Sequence, residues 1–436
     1  MTHEKTKHQV PQSYDIHSVE NVLLVGIYSS GNQKGKCEEY LQELVRLCHT
    51  FGIQQTHCIP CPVKKLDAGT YLGSGKLEEL ANMKTDLGYQ LVIFDDEISP
   101  HQQRNLEQIF KTPVIDRTEL IIEVFAQRAQ TKEAKLQIEL AKIKYQFPRL
   151  RRMWTHLSRQ STGGGGFLKG EGEKQIEIDR RLLRRRIDVL KKEIEEVVDQ
   201  RKVQRVARQR SGIPTFAIIG YTNAGKSTLL KTLTHADVLV EDKLFATLDT
   251  TTRKFVLPNR QEILLIDTVG FIRKIPHTLV AAFKSTLEEA VHTDILLHLI
   301  DVSHPNAEEH AEATMEVLSE LGAKDHPIIT VLNKVDACED PTLITKLRLK
   351  YPKTVQISAL NKTGLDHLAE VMIEELAKLR KIVNVRIPQS NYALVAELMH
   401  EGNVLHSDYE ENDVILKMEI PAKLEYKVKP YIIEEP

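Results

Sequence analysis

The glycine-rich run from 220 to 227 constrains the fold of this chain more than any other feature. It reads Gly-Tyr-Thr-Asn-Ala-Gly-Lys-Ser, follows an apolar stretch from Thr215 to Ile219, and is followed at once by a helical pattern. This is the spacing G-x-x-x-x-G-K-[ST] in its required strand–turn–helix context. The glycines let backbone N–H groups surround phosphates at a helix N-terminus. We therefore predict an α/β P-loop domain that binds a nucleoside triphosphate.

Two side chains of this run have predicted roles of their own. Lys226 supplies positive charge to the β- and γ-phosphates, and the Ser227 hydroxyl ligates Mg²⁺. The residues of the run that we predict to bind the nucleotide are Gly220, Tyr221, Thr222, Asn223, Ala224, Gly225, Lys226, Ser227 and Thr228.

A second motif indicates which base is bound. Asp336 follows a predicted strand, and its carboxylate can accept two hydrogen bonds from the N1–H and N2–H₂ edge of guanine, whereas adenine presents an acceptor at N1. We expect Asn333 to brace the loop, the Lys334 stem to cover the base, and backbone N–H groups near Ala359 to approach guanine O6. The predicted base-side residues are Asn333, Lys334, Val335, Asp336, Ser358, Ala359 and Leu360.

Two further segments have the pattern of switches that respond to the γ-phosphate. In the first, which ends a predicted strand, Asp267 would bind Mg²⁺ through water, and the Gly270 amide would sense the γ-phosphate. In the second, Thr247 is predicted as the other hydroxyl ligand of Mg²⁺, with Thr250, Thr251 and Thr252 as competitors and a Thr-rich strand as the alternative. The segments are Asp267, Thr268, Val269 and Gly270, and Phe245, Ala246, Thr247, Leu248 and Asp249.

Catalysis is predicted to depend on Lys226, Thr247 and Gly270. Phe271 follows Gly270 at the position where many regulatory GTPases have a glutamine that orients the attacking water. A phenyl ring cannot do so, and we therefore expect slow hydrolysis of GTP unless a partner orders the switches or supplies a polar group.

The middle of the chain is strongly basic. Residues 128–210 contain 23 lysines and arginines against 11 acidic residues, although the whole chain has a net charge of −2. Helical periodicity on both sides of a glycine-rich stretch from 163 to 172 predicts a helical hairpin. That stretch is either a flexible connector or a probe that orders on RNA, with basic residues for phosphates and Trp154 and Phe167 for stacking on bases.

The rest of the chain predicts two more units, and the fold class is multidomain α/β. We expect an N-terminal α/β domain at 1–125, the basic hairpin at 126–212, the P-loop GTPase domain at 213–380 and a small C-terminal domain at 381–436. In the first of these, the segment from Tyr71 to Lys76 is either a ligand or RNA contact or a glycine turn before a helix.

The cysteine content and the lengths of the apolar runs indicate in which cellular compartment the protein works. The chain has five cysteines, too few and too scattered for a disulfide framework, and the pair Cys58 and Cys61 lacks companions for a complete zinc site. No apolar run reaches the ~18 residues of a membrane span. We expect a cytoplasmic protein, and a monomer.

Several motifs together resemble the HflX GTPase family, in the Obg–HflX branch of the translation-factor class. The likeness spans about residues 20 to 380. It rests on the glycines of 163–166, Gly-Glu-Gly-Glu at 170–173, the P-loop, Phe-Ala-Thr-Leu-Asp at 245–249 and Asp-Thr-Val-Gly-Phe-Ile-Arg at 267–273. Tyr71 to Lys76 also matches the family's N-terminal signature. Thr250 departs from the family, which usually has proline there, and this could loosen the switch loop.

The resemblance implies a GTPase that uses Mg²⁺, binds GTP and GDP, and associates with the large ribosomal subunit and its ribosomal RNA. Family members split or rescue ribosomes under stress, and the glycine-rich loop would reach ribosomal RNA near the peptidyl transferase centre. Thr247 corresponds to the magnesium-binding threonine of the family. Some members also hydrolyse ATP through the N-terminal unit. A GTP-regulated accessory of RNA modification and an interaction scaffold are the alternative functions.

Overall fold

The computed structural model describes residues 16–150, 169–210, 213–234, 244–245, 250–274, 291–323, 326–410, 412–421 and 424–433. The chain divides into two compact units. The first comprises 1–195, 242–246 and 274–283, and the second comprises 196–241, 247–273 and 284–436. Sheets with helices occur in both, so the predicted α/β class is confirmed. Among the described helices, none is both long and apolar enough to cross a membrane.

The first unit contains a four-stranded parallel sheet in the order β2-β1-β3-β4. The strands are β1 (Asn21–Tyr28), β2 (Gln55–Pro62), β3 (Leu91–Phe94) and β4 (Val114–Asp116). Sequence analysis missed β2, which contains Cys58 and Cys61. It lies at the edge of the sheet, where Pro60 and Pro62 are tolerated because one side of the strand needs no ladder partner.

Seven helices of this part of the chain are described. They are α1 (Lys34–Phe51), α2 (Ser74–Asn82), α3 (Lys84–Leu87), α4 (Pro100–Phe110), α5 (Arg117–Arg128), α6 (Lys132–Gln146) and α7 (Lys169–Arg210), the last of which continues past residue 195. Side-chain caps set several starts. Ser99 and Gln102 form a capping box on α4, Asp116 accepts from Glu119 N on α5, and Thr131 accepts from Ala134 N on α6.

Helices α6 and α7 correspond to the helical periodicity on the two sides of the glycine-rich stretch. Leu140 and Leu190 are buried, and Arg186 of α7 makes two hydrogen bonds to Glu139 of α6, at 2.7 and 2.8 Å. Because α7 already begins at Lys169, residues 169–172 of the glycine-rich stretch are helical rather than part of a loop. Residues 151–168, with Trp154, Phe167 and the glycines of 163–166, lie outside the described residues.

The second unit contains a six-stranded sheet in the order β10-β9-β8-β5-β7-β6, in which only β6 is antiparallel to its neighbour. Its strands are β5 (Thr215–Gly220), β6 (Thr251–Val256), β7 (Glu262–Asp267), β8 (Ile295–Asp301), β9 (Ile328–Asn333) and β10 (Thr354–Gln356). The helices are α8 (Lys226–Thr234), α9 (Ala307–Glu320), α10 (Pro341–Lys350) and α11 (Leu365–Leu379). The carboxyl ends of the parallel strands meet at one edge of the sheet, which is where ligands bind in such folds.

A three-stranded antiparallel sheet, in the order β11-β13-β12, follows in the same unit. Its elements are β11 (Arg380–Pro388), α12 (Tyr392–Glu401), β12 (Asn403–Glu410), β13 (Asp413–Pro421) and α13 (Glu425–Val428). Val385, Leu416 and Leu398 belong to its buried core. Sequence analysis missed β12, since its residues from 404 to 410 are all exposed and therefore show no apolar alternation. Short 3₁₀ helices lie at Ile16–Ser18, Gly31–Gln33, Phe147–Arg149, Val335–Ala337, Gln389–Asn391 and Lys429–Tyr431.

Candidate nucleotide-binding site

The P-loop connects the end of β5 to the start of α8 and is curled by backbone conformations that few residues adopt. Asn223 has a φ of 61° and Gly225 a φ of 95°. A Cβ at Gly225 would lie only 2.3 Å from Asn333 Nδ2, so this position requires glycine for conformation and for space. The N-terminus of α8 therefore opens from a tight loop, which is the geometry that presents backbone N–H groups to an anion.

Lys226 is the buried cation of this loop. Its Nζ donates hydrogen bonds to the carbonyl oxygens of Gly220 at 3.1 Å and Tyr221 at 2.8 Å. Burial lowers the pKa of Lys226 to about 8, and the negative charge of Asp267 opposes that shift. A buried ammonium held by carbonyls is available to a polyphosphate, whose charge would favour the protonated form.

Ser227 and Asp267 bring two oxygen donors together beside Lys226. Ser227 Oγ donates a hydrogen bond to Asp267 Oδ2 at 2.7 Å, and Asp267 is fully buried at the end of β7. Hard oxygen donors in small number suit Mg²⁺, which completes its octahedron with waters and phosphate oxygens. Among the described residues, no group of three or more His, Cys, Asp or Glu side chains could hold a metal ion by itself.

Asn333 links the phosphate side of the site to the base side. Its Nδ2 donates to the carbonyl oxygen of Ala224 at 2.8 Å, and its Oδ1 accepts from the backbone N–H of Ala359 at 3.0 Å. The side chain is 2% exposed. The Asn333 side chain thus connects the P-loop and the loop after β10 to the end of β9. Loss of either hydrogen bond would be costly, because it would leave a buried polar group without its partner.

The remaining residues of the 333–336 motif are more exposed than Asn333. Lys334 has a φ of 64°, and its Nζ forms an ion pair with Asp301 Oδ2 at 2.7 Å. Val335 is half-buried and Asp336 is exposed, both in a single 3₁₀ turn. Sequence analysis did not include Asp301, because only the pairing of β8 with β9 brings it to this loop.

The predicted loop from 358 to 360 follows β10. Ser358 and Ala359 are buried, whereas Leu360 is 77% exposed. Ser358 Oγ accepts from Asn361 N at 3.1 Å, which holds the turn. Thr232 of α8, also missed in the sequence, donates its hydroxyl to the carbonyl oxygen of Ala359 at 3.0 Å. The loop is therefore tied to both α8 and β9.

The segment after Asp267 lies against the P-loop. A Cβ at Gly270 would be 2.8 Å from Thr222 Cγ2 and 2.9 Å from Lys226 Nζ, so only glycine fits without displacing them. Thr268 is fully buried and donates its hydroxyl to Ile218 O at 2.7 Å, and Val269 is also buried. Phe271 is 2% exposed. Its ring therefore belongs to the protein interior.

The other predicted switch is described only in part. Ala246, Thr247, Leu248 and Asp249 lie outside the described residues. Phe245 belongs to the first unit, where its ring packs on Phe125 with centroids 4.4 Å apart. Thr251 and Thr252 are part of β6, as the strand alternative required, whereas Thr250 precedes that strand. The assignment of Thr247 to Mg²⁺ therefore stays a prediction.

The six-stranded sheet, the curled loop with its buried lysine and the Asn333 brace place this unit in the class of P-loop GTP-binding proteins. Protein-family models agree along most of the chain. They are described as "GTP-binding GTPase N-terminal" for residues 38–126, "GTP-binding GTPase Middle Region" for 128–208 and "50S ribosome-binding GTPase" for 215–334.

Two GTPases named HflX show the same relationship. The GTPase HflX of Chlamydia pneumoniae is 48% identical over 94% of this chain and 88% of its own length. That of Escherichia coli is 39% identical over 92% of this chain and 93% of its own length. A GTP-binding protein of Sulfolobus solfataricus, solved in complex with GDP, is 27% identical with a TM-score of 0.44, covering 82% of this chain and 99% of that chain. The chain belongs to the HflX GTPase family, and it is a GTP hydrolase.

Proposed function

We propose that the second unit binds Mg²⁺–GTP at the edge of its sheet and that the nucleotide state controls association with the large ribosomal subunit. The observation that carries the nucleotide site is the Asn333 side chain, which hydrogen-bonds Ala224 of the P-loop and Ala359 of the base-side loop. A purine recognised on one side of this amide would have its phosphates on the other.

Within this site each residue has a separate task. The P-loop N–H groups and Lys226 bind the phosphates, Asp336 selects guanine, and the Gly270 amide contacts the γ-phosphate. Ser227, together with Thr247, would ligate Mg²⁺, and Asp267 would hold it through water. When bound, Mg²⁺ would supply positive charge that neutralises the negative charge developing on the phosphates.

Phe271 supports the proposal that hydrolysis needs a partner. Its ring is buried and carries no group that could orient water. None of the residues given a role above supplies a base for the attacking water. We therefore propose that the ribosomal partner accelerates hydrolysis by ordering the switch segments or supplying a polar group.

The basic segment supports a ribosomal RNA partner. Arg181, Arg184 and Arg185 are exposed on α7, whereas Arg186 is engaged by Glu139. Residues 128–210 contain 23 basic and 11 acidic side chains, and this excess of positive charge gives a strong electrostatic attraction to a polyanion. The proposed outcome is splitting or rescue of ribosomes under stress, in the cytoplasm.

The test is GTP turnover with and without large ribosomal subunits, for the full chain and for a variant lacking residues 163–172. We expect slow turnover alone, strong stimulation by subunits, and loss of most of that stimulation in the deletion variant. Equal rates in all four conditions would contradict both the partner and the RNA probe. Co-sedimentation with subunits should be stronger with a non-hydrolysable GTP analogue than with GDP. Equal binding in both states would favour an interaction scaffold instead.

A further inference from the structure

Tyr221, the second residue of the P-loop, makes two side-chain contacts that its backbone role in phosphate binding does not require. Its hydroxyl oxygen accepts a hydrogen bond from the backbone N–H of Arg273 at 2.7 Å. Its ring stacks on the imidazole of His310, with centroids 3.7 Å apart and planes within 4°. Because Arg273 is the third residue after Gly270, a P-loop side chain holds the segment that follows the proposed γ-phosphate sensor.

The same segment is joined to the P-loop through its backbone. Thr222 N donates to Phe271 O at 2.7 Å, and Phe271 N donates to Gly220 O at 3.0 Å. This parallel bridge between Tyr221 and Phe271 extends the pairing of β5 and β7 beyond the ends of both strands. Gly270 therefore lies between two fixed parts of the chain. Asp267, at the end of β7, precedes it, and Phe271 and Arg273, which are hydrogen-bonded to the P-loop, follow it.

The stack on His310 connects this arrangement to α9. His310 lies in the first turn of that helix, and its ring is 4.4 Å from the ring of His304. His304 Nδ1 in turn accepts from the backbone N–H of Asn306 at 3.1 Å. Tyr221 is 5% exposed and its ring packs against the His310 ring, so its hydroxyl is held in one direction.

We propose that Tyr221 is a positioning residue for γ-phosphate recognition: its hydroxyl and its stack on His310 hold Arg273, and thereby set where the Gly270 amide lies beside Lys226. This inference rests on the proposed GTP site. The proposed role affects GTP and GDP differently. GDP contacts the P-loop and Lys226, but it lacks the γ-phosphate that would meet Gly270. Loosening the segment should weaken GTP binding and leave GDP binding nearly unchanged.

The test compares the affinities of a non-hydrolysable GTP analogue and of GDP for the full chain and for Tyr221→Phe. This substitution removes the acceptor for Arg273 N–H and keeps the ring. Loss of one neutral hydrogen bond should lower affinity for the analogue about threefold to tenfold, with GDP affinity within about twofold. His310→Ala should act in the same direction, and the double variant should lose less than the product of the two single losses, because both act through one ring.

Tyr351→Phe is the matched control. Tyr351 is a partly buried tyrosine that, like Tyr221, lies beside a histidine of the same unit, with its ring 5.8 Å from that of His298 in an edge-to-face arrangement. It is not part of the proposed site, and both affinities should stay unchanged. An equal loss for GDP and analogue in Tyr221→Phe would contradict the proposal, since it would mean only that the P-loop is damaged.

Hydrogen exchange separates this inference from the proposed function. In the nucleotide-free chain the Arg273 amide should exchange faster in Tyr221→Phe than in wild type, whatever the protein binds. Unchanged exchange overturns the positioning role, and so does faster exchange with unchanged affinity for the analogue. A wild-type chain that does not prefer guanine would instead contradict the proposed function.

Discussion

Glycine and lysine occur together at the start of α2, in Gly73–Lys76, and at the start of α8, in Gly220–Ser227. In the first turn Gly73 is extended, a Cβ at Gly75 would meet no atom within 4 Å, and Lys76 pairs with Glu79 at the surface. In the second, Gly225 has a left-handed φ and Lys226 is buried against carbonyl oxygens.

The difference lies in the neighbours rather than in the composition of the turns. The ends of β7 and β9 supply Asp267 and Asn333 to the second turn, and Asn333 closes over Gly225. The helix that follows the first turn begins after an extended glycine, and its lysine is engaged by the next turn of its own helix. A phosphate-binding loop therefore needs tertiary contacts that force it to curl, in addition to glycine and lysine.

The largest expected difference between the two turns is in the effect of their lysines on GTP turnover. Lys226→Ala should lower GTP turnover at least about 100-fold, because it removes the buried cation from the phosphates. Lys76→Ala should change turnover by less than about twofold, since an exposed ion pair contributes little. Both are measured as phosphate release under saturating GTP. Similar losses in the two variants would remove the distinction between the turns.

The two glycines should differ in stability. Gly225→Ala should lower the free energy of unfolding by about 2 kcal/mol, because alanine is strained at this φ and its Cβ would displace Asn333 from Ala224. Gly75→Ala, in open space within α2, should be neutral or raise it by about 0.5 kcal/mol. Urea denaturation of the full chain measures both. Equal tolerance of the two alanines would show that the second turn is not constrained as described.

The smallest expected effect concerns β3 and β8, which are inner strands of the four-stranded and the six-stranded sheet. In β3 every side chain is apolar, whereas β8 contains His298, and neither of its ring nitrogens has a hydrogen-bond partner among the described residues. Burial lowers the pKa of His298 to about 4. The unfolded chain, with a pKa near 6.5, takes up the proton first, so stability is lost as the pH falls below about 6.5.

Between pH 7 and pH 5.5 this histidine should account for a loss of about 1 kcal/mol in the free energy of unfolding of the full chain. His298→Leu should remove that part of the pH dependence. The measurement is urea denaturation of both proteins at the two pH values. An identical pH dependence in wild type and variant would show that the buried imidazole does not carry it.

Sequence predicted the motifs that are local and missed the contacts that are not. The strand–loop–helix around 220–227 follows from glycine spacing and apolar runs, and β5 matches the apolar stretch from Thr215 to Ile219 to within one residue. The roles of Asp301, Thr232 and His310 depend on which strands and helices become neighbours, and no local pattern contains that information. The start of α7 at Lys169 also escaped prediction, because helix propensity alone disfavours Gly170 and Gly172.

The central claim is that Asp336, which we propose selects guanine, and the P-loop that would bind the phosphates form one pocket. Nucleotide competition on the full chain tests this claim most directly. Wild type should bind GTP at least about 100-fold more tightly than ATP. Asp336→Asn should lose most of its affinity for GTP and gain affinity for XTP, whose C2 carbonyl can accept from the new amide. Equal affinity of wild type for ATP and GTP, or an unchanged GTP preference in Asp336→Asn, would contradict the account.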